Sequence, residues 1–315
     1  MAVPPPARVV HADWSTRPAR RWQAAAVLQA DGRYRLLRTV RTGPLAELWG
    51  SFGDDGGRVL LGFDFPLGLP AAYARRAGID DFAAALARFG SGRFAAFYDV
   101  AEGPEEISLE RPFYPHRPGG RRRQQLLGAL GLKEWHDLLR RCDRRSPTRP
   151  AACALFWTLG GSQVGKAAIA GWRDLLAPAL RDGVDVGLWP FQGRLEELLA
   201  RHRFTVAETY PGEAYSHLGL VPALRRNGGK RSGVARRKAA ALLFDAAHEL
   251  DVEADPAARA EIEDGFGAGA DGEDRFDAVV GLLGMLGVVR GRRCSGEPDD
   301  PVVRRVEGWI LGQAA

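Results

Sequence analysis

The chain has 315 residues, of which 45% are hydrophobic, and its formal net charge is +5 at pH 7. This composition is typical of a globular protein with one large domain or two smaller ones, and it excludes a disordered chain. The longest apolar run, residues 278–289, is shorter than the roughly 20 residues that span a bilayer. Neither a signal peptide nor a C-x-x-C spacing is recognisable, and the three cysteines are an odd number. We therefore expect a cytoplasmic protein without a membrane segment, a disulfide framework or a zinc site.

Strand patterns dominate the first part of the chain. Four strands are predicted there, each a short run rich in apolar residues: 7–13, 22–29, 34–40 and 58–64. The segment between the second and third strands suits a hairpin turn. Residues 42–51 have helical character. The first and fourth strands each end in a carboxylate, and prolines interrupt the chain after the fourth.

The sequence pattern changes between residues 89 and 180. A Pro- and Arg-rich loop around residues 111–123 precedes two predicted helices, at 124–141 and 167–180. Strand patterns then resume, and two more helices follow; these later elements are predicted at 184–189, 203–210, 232–250 and 274–289. The alternation predicts an α/β fold with a mixed sheet. We interpret residues 1–88 and 181–315 as its core, and residues 89–180 as a large, mainly helical insertion.

One segment resembles a phosphate-binding loop. Residues 160–166 (GGSQVGK) match the first seven positions of G-x-x-x-x-G-K-[ST]. The eighth position is Ala167, which has no side-chain oxygen for Mg²⁺, and the apolar strand that ends in Asp lies upstream of the segment rather than downstream. The sequence therefore argues against a nucleotide triphosphatase. A glycine-rich turn at a helix N-terminus with Gly165 and Lys166 can still bind the phosphate of a polymeric substrate, although a tight turn with Lys166 in solvent fits equally well.

Basic residues cluster at several places. Arg121, Arg122 and Arg123 are consecutive, and Lys230 precedes the predicted helix 232–250, which has a basic start. A basic face can contact a nucleic-acid backbone. Arginines scattered over the surface of an Arg-rich chain are the alternative.

Three apolar strands end in an acid: Asp13, Asp64 and Glu208. An acid beside apolar neighbours is unfavourable to bury unless it is paired or binds a metal. Ligands of α/β sheets bind at the C-terminal ends of the strands. Each acid alone also fits a cap or a salt bridge, whereas Asp13 and Asp64 together favour a catalytic or metal-binding role.

The last predicted helix adds two more acids. Asp274 and Asp277 are three residues apart and so share one face, and Gly281 and Gly284 would allow this helix to approach the sheet closely. The helix would then complete a predicted ligand set of Asp13, Asp64, Glu208 and Asp277, with Asp274 as rival or partner of Asp277. Such oxygen ligands suit Mg²⁺ or Mn²⁺. Two ions of this kind support phosphodiester cleavage.

Several of these segments together resemble one protein family. The segments VVHADWS, GFDFPLGLP, AETYP and DRFDAVVGLLG are similar to a family of uncharacterised proteins, catalogued as domain of unknown function 429 and described as predicted nucleases. The long bacterial branch is also similar in RPFYP, FWTLGGSQVGKAAI, WPFQG and EGWI, so the resemblance covers nearly the whole chain. It implies a ribonuclease-H-like, mixed five-stranded sheet flanked by helices, with three antiparallel strands followed by two parallel ones. It also implies acids at the four positions named above, and Asp274 as a candidate second ligand.

These observations predict a metal-dependent nuclease that uses Mg²⁺ or Mn²⁺ and has nucleic acid as its partner. Asp13, Asp64, Glu208 and Asp277 would be catalytic, Asp274 would help to bind metal, and the residues that would hold substrate phosphate are Gly165, Lys166, Arg121, Arg122, Arg123 and Lys230.

Two alternatives stay open. A phosphoryl-transfer enzyme acting on a nucleotide or another small phosphate substrate predicts a closed pocket near Asp13 and no continuous basic groove. A non-catalytic nucleic-acid-binding or scaffold protein predicts acids too far apart to share a metal ion.

Overall fold

A computed structural model describes residues 4–52, 56–145, 150–159 and 164–314 of the chain. The chain divides into two compact units. Unit 1 comprises Met1–Asp64, Leu195–Gly296 and Ile310–Ala314, and unit 2 comprises Phe65–Arg194 and Glu297–Trp309. Within the described residues, no helix combines the length and the apolar character needed to cross a membrane.

The strands, in chain order, are β1 (Arg8–Asp13), β2 (Trp22–Leu28), β3 (Tyr34–Leu36), β4 (Val40–Arg41), β5 (Val59–Phe63), β6 (Val186–Leu188), β7 (Phe204–Glu208) and β8 (Val252–Ala254). The helices are α1 (Leu45–Ser51), α2 (Ala71–Ala77), α3 (Phe82–Leu86), α4 (Arg123–Leu130), α5 (Val164–Gly171), α6 (Ala177–Arg181), α7 (Leu195–Arg201), α8 (Pro211–His217), α9 (Leu220–Arg226), α10 (Gly233–Glu249), α11 (Pro256–Glu263) and α12 (Gly272–Val289). A π-helical turn, Trp172–Leu176, joins α5 to α6.

Unit 1 is built on a mixed sheet. Its strand order is β7-β5-β1-β2-β3-β8, and β4 also pairs with β2. β1, β2 and β3 are antiparallel neighbours, whereas β5 is parallel to β1 and β7 is parallel to β5. The predicted α/β fold with a mixed sheet flanked by helices is confirmed. The sheet has more strands than the five predicted, because β4 and β8 are too short to give a visible period in the sequence.

Helix α12 packs across β1 and β2 with nearly all of its apolar residues buried. Two glycines make this close approach feasible. A Cβ at Gly281 would collide with the imidazole ring of His11 in β1, and a Cβ at Gly62 in β5 would collide with the side chain of Met285. Gly284 faces α8 instead, where its Cβ would lie 3.0 Å from the Cβ of Ala214. The predicted close approach is therefore made by Gly281, while Gly284 brings two helices together.

Unit 2 contains the helices α2 to α6 and strand β6. The predicted helix 124–141 is too long: α4 ends at Leu130, because Gly131 follows in the left-handed conformation with φ of 64°. Residues 135–138 and 141–143 form short 3-10 turns instead. Unit 2 begins at Phe65, before the predicted insertion 89–180. Two compact units are not the same as a core and an insertion, so the predicted boundaries of the core (1–88 and 181–315) and of the insertion (89–180) stay a prediction.

Candidate functional site

Two of the predicted acids meet at the ends of adjacent parallel strands. Asp13 is the last residue of β1, and Asp64 follows β5 directly. Ala12 and Phe63 are the last register partners of these strands, so the two acids come next at the same end. Their carboxyl groups are hydrogen-bonded to each other. The backbone N–H of Trp14 donates to Oδ1 of Asp64 at 2.6 Å and fixes its orientation.

The pKa values of both carboxyl groups of this pair are raised. Burial raises the pKa of Asp64 to about 7, although the Trp14 N–H acts in the opposite direction. Burial also raises the pKa of Asp13, and the charges of Asp64 and Asp277 raise it further. Two carboxyl groups in contact cannot both ionise readily, so they titrate as a pair. The arrangement is one that a bound cation would stabilise in its charged form.

Helix α12 contributes the third acid, Asp277, whose residue is only 5% exposed. The phenol O–H of Tyr215 donates to its Oδ1, and Nζ of Lys230 donates to its Oδ2. Burial raises the pKa of Asp277, while Lys230 and Tyr215 lower it. Asp13, Asp64 and Asp277 thus form one electrostatic cluster, which also includes a lysine.

Lys230 is held in place by side chains of α12 and α10. Its Nζ lies 3.2 Å from Oε1 of Glu273 in addition to its bond with Asp277. Burial lowers the pKa of Lys230, but the two carboxylates outweigh burial and raise it above its ordinary value. The buried guanidinium of Arg236 donates to the carbonyl oxygen of Lys230 at 2.7 Å and to those of Gly265 and Gly267. Arg236 therefore positions the Lys230 loop.

Asp274 forms an ion pair with a different basic residue, Arg20. Nε and a terminal nitrogen of Arg20 donate to its two oxygens at 2.6 and 2.9 Å, which is a bidentate ion pair. Arg20 also lies 3.8 Å from Asp271. Asp274 is near enough to Asp13 to contribute to its raised pKa. Its carboxylate is nevertheless neutralised by Arg20.

The predicted acid Glu208 does not occupy the same register position as Asp13 and Asp64. It is the register partner of Phe63, not of Asp64. Because side chains alternate along a strand, Glu208 belongs to the face opposite α12, whereas Asp13 and Asp64 belong to the face that α12 covers. Thr209 continues the row of Asp13 and Asp64. The Thr209 hydroxyl is buried and has no hydrogen-bond partner in the described part of the chain.

The described residues contain no group of three or more His, Cys, Asp or Glu side chains arranged to hold a metal ion. The contacts given above explain this. Asp277 and Asp274 turn their oxygens toward Lys230 and Arg20, and the register sets Glu208 on the other face. Asp13 and Asp64 remain as two adjacent carboxyl groups without a basic partner at hydrogen-bonding distance among these residues.

Apart from Lys230, the predicted phosphate-binding residues belong to unit 2. The loop residues 160–163 lie outside the described residues, and α5 begins at Val164. Gly165 is buried where a Cβ would collide with the carbonyl oxygen of Leu155, so its small size serves packing. Lys166 is half-buried. Within the described residues no strand directly precedes this loop, as it would in a phosphate-binding loop: residues 155–156 make a turn and Trp157 makes only an isolated bridge.

The three consecutive arginines lie at the start of α4. Arg121 and Arg122 are exposed, and Arg123 stacks its guanidinium 4.3 Å from the ring centroid of Trp135. Their predicted role toward substrate stays a prediction, as does that of Gly165 and Lys166.

Sequence reasoning missed several residues that shape the acid cluster: Arg20, Thr209, Tyr215 and Arg236. Thr209 follows Glu208 directly, so the strand period would have indicated it had the register been known. Tyr215 lies on α8, where no helix was predicted, and Arg236 lies on α10, whose predicted counterpart showed only a basic start. Their roles depend on contacts between elements distant in the chain.

Comparisons of the chain with protein-family models, with curated proteins and with solved structures found no match to any of them.

Proposed function

We propose that the chain is a divalent-metal-dependent nuclease with a ribonuclease-H-like core. The observation that carries the proposal is the half-buried pair of adjacent carboxyl groups, Asp13 and Asp64, at the C-terminal ends of two adjacent parallel strands. Ligands bind at this end of α/β sheets. Hydrolysis of a phosphodiester is chemistry that carboxylate-held Mg²⁺ or Mn²⁺ supports.

The strand order agrees with this proposal. Three antiparallel strands, β1 to β3, are followed by β5 and β7, which are parallel to β1. The resemblance to the family catalogued as domain of unknown function 429 implies the same strand directions. Fold alone does not determine activity. The argument for a nuclease therefore depends on the acid cluster.

Asp13 and Asp64 fit one Mg²⁺ or Mn²⁺ ion. Their oxygens are adjacent and their charged forms are disfavoured in the absence of a cation, which is the chemistry of a hard-cation donor set. When bound, the ion would act as a Lewis acid and lower the pKa of a water molecule. With the ion bound, the ionised forms of Asp13 and Asp64 would be favoured. Lys230 would place a positive charge beside the phosphate.

An open site suits a polymeric substrate better than an enclosed pocket does. Asp13 and Asp64 are half-buried rather than enclosed. A cavity of about 700 Å³ in unit 1 is lined by residues of α8, α10 and α12, together with Arg292 and Arg293, and neither Asp13 nor Asp64 lines it. The proposal takes nucleic acid rather than a nucleotide as the substrate because Asp13 and Asp64 are half-buried and reachable from solvent.

The test is a Mn²⁺ titration by calorimetry together with cleavage of single-stranded, double-stranded and hybrid nucleic acid, on wild type and Asp64→Asn. Loss of residues that merely support metal ligands costs about 10–100-fold in affinity or activity. We therefore expect Asp64→Asn to lose at least about 100-fold in both. Asp245→Asn, a change at an exposed residue of α10, is the matched control and should behave as wild type.

The outcomes separate the alternatives. Binding of Mn²⁺ without cleavage of any nucleic acid would favour a phosphoryl-transfer enzyme on a small substrate. Absence of Mn²⁺ binding in wild type, with nucleic acid present, would contradict the proposal and favour a nucleic-acid-binding protein.

The role of Glu208 has its own test. We expect Glu208→Gln to keep the Mn²⁺ affinity of wild type within about twofold, because the register turns Glu208 away from Asp13 and Asp64. A loss as large as that of Asp64→Asn, in a variant whose circular dichroism matches wild type, would restore Glu208 to the ligand set.

A further inference from the structure

The acids of unit 1 are divided into two groups by their basic partners. Asp277 and Glu273 share the ammonium of Lys230, and Asp274 is bound by Arg20. Asp13 and Asp64, by contrast, have no basic partner at hydrogen-bonding distance within the described residues. The acids of α12 thus have basic partners in direct contact, whereas Lys230 and Arg20 act on Asp13 only through longer-range charge interactions.

We propose that Lys230 takes the place of a second divalent ion, so that the site binds one Mg²⁺ or Mn²⁺ per chain, between Asp13 and Asp64. This inference rests on the proposed function. It refines that function by assigning the second positive charge of a two-ion mechanism to a side chain. A divalent ion bound to Asp277 would face the Lys230 ammonium across a single carboxylate, and the two like charges would repel each other.

The Lys230 side chain is fixed by contacts on several sides. Its side chain is only 36% exposed, and Nζ lies 5.8 Å from the ring centroid of Tyr215, in addition to its two carboxylate contacts. The backbone of Lys230 is tied to Arg236 by a carbonyl hydrogen bond of 2.7 Å. Arg236 itself is only 2% exposed and reaches three further carbonyl groups, of Arg231, Gly265 and Gly267. Displacing Lys230 to admit an ion would therefore disrupt several contacts.

A separate observation points to a ligand on the strand side. Thr209 is 5% exposed, and its hydroxyl has no hydrogen-bond partner among the described residues, which is unfavourable for a buried polar group. Its register position places it beside Asp64 on the face that α12 covers. A hydroxyl there can accept from or donate to a water molecule of a hydrated cation. Magnesium usually keeps several such waters.

The experiment counts bound Mn²⁺ per chain by calorimetry and by the electron paramagnetic resonance signal of free Mn²⁺. Wild type is expected to bind one ion. Lys230→Met, which keeps the length of the side chain but removes its charge, is expected to bind two, because Asp277 and Glu273 lose their cation. Lys238→Met is the matched control: its ammonium lies on the surface, 2.8 Å from Oδ1 of Asn227, and this variant should still bind one ion.

The possible results separate this inference from the proposed function. Two ions in wild type, or one ion in a folded Lys230→Met, would overturn the role of Lys230 and leave a metal-dependent nuclease in place. No ion in wild type would overturn both proposals. If Lys230→Met does not fold, Lys230→Gln and Lys230→Arg replace it. Lys230→Gln is expected to bind two ions per chain, and Lys230→Arg is expected to bind one. Equal numbers of bound ions in these two variants would overturn the inference.

Discussion

Asp13 and Asp64 illustrate how strand ends concentrate titratable groups. Each acid ends an apolar strand, and the parallel pairing of β1 and β5 brings the two together where neither is fully solvated. Burial then favours the protonated form and mutual repulsion adds to it. A pair of this kind destabilises the folded protein once both groups are charged, unless a cation binds.

This pair predicts an unusual pH dependence of stability. The pKa of Asp64, about 7 in the folded protein, lies above its value in the unfolded chain, near 4. The folded protein therefore binds more protons over this range, and the free energy of unfolding should fall as pH rises from about 4 to about 7, by at most about 1.4 kcal/mol per pH unit for one proton. We expect a shallower decline in Asp64→Asn, measured by urea unfolding in the presence of a chelator.

Asp245→Asn serves as the control and should keep the steep decline of wild type. If Mn²⁺ binds the charged pair as proposed, saturating Mn²⁺ should offset the loss in wild type. Identical pH profiles for wild type and Asp64→Asn would contradict the prediction.

The acids of the cluster were accessible to sequence reasoning, whereas their partners were not. A carboxylate after a run of apolar residues is visible in the sequence, which is why Asp13 and Asp64 were found. The pairing of Lys230 with Asp277 joins residues 47 positions apart. No local period encodes such a distance, so only the packing of α12 and the Lys230 loop determines it.

Helix α12 shows how a small residue positions a functional one. Gly281 lies one turn after Asp277 and rests against His11, whose ring is completely buried. Burial lowers the pKa of His11 to about 3, so the ring is neutral. The close contact between α12 and β1 thus brings Asp277 toward Asp13.

Gly281→Ala should destabilise the protein by about 1–3 kcal/mol, because the added methyl group overpacks the contact with His11. Chemical denaturation followed by circular dichroism measures this. Gly128→Ala is the control. Gly128 lies in α4, where an added Cβ would have no neighbour within 4 Å outside its own part of the helix. Since alanine favours helix over glycine, this variant should be equal to or up to about 1 kcal/mol more stable than wild type. Equal effects of the two changes would show that the α12 contact is not tight.

The strand β7 marks a limit of pattern-based reasoning. The period-2 row of Phe204, Val206 and Glu208 was correctly identified as one face. The sequence does not tell which face it is, because that depends on the pairing with β5. A shift of one residue in register exchanges the two faces of a strand. Glu208 was for this reason grouped with acids that its register separates from it.

Unit 1 is assembled from three separate stretches of the chain, including its last residues. Ile310 forms a parallel bridge with Glu208, and the N–H of Leu311 donates to the carbonyl oxygen of Glu208 at 2.9 Å. Arg293 donates to the carbonyl oxygen of Gly312 at 2.7 Å. The side chains of Ile310 and Leu311 are both buried. The final residues therefore contribute to the packing beside β7.

Removing residues 310–315 should destabilise unit 1. Truncation of a buried Ile to Ala alone costs about 2–5 kcal/mol. We expect the deletion to cost more than Ile310→Ala, because it also removes the hydrogen bonds to Glu208 and Arg293. Thermal unfolding by calorimetry, on the deletion and on Ile310→Ala, measures both. A deletion no more destabilising than the point change would mean that these backbone hydrogen bonds contribute little.

The fold class, the strands of the sheet centre and the acids that follow them could be predicted from local runs and periods of hydrophobic residues. Contacts between distant elements set which acids meet, which face of the sheet Glu208 joins, and which basic side chains pair with Asp274 and Asp277. The physical reason is that the hydrophobic period is a property of adjacent residues. Ion pairs and register are instead set by the relative position of elements far apart in the chain, and those positions depend on how the whole core packs.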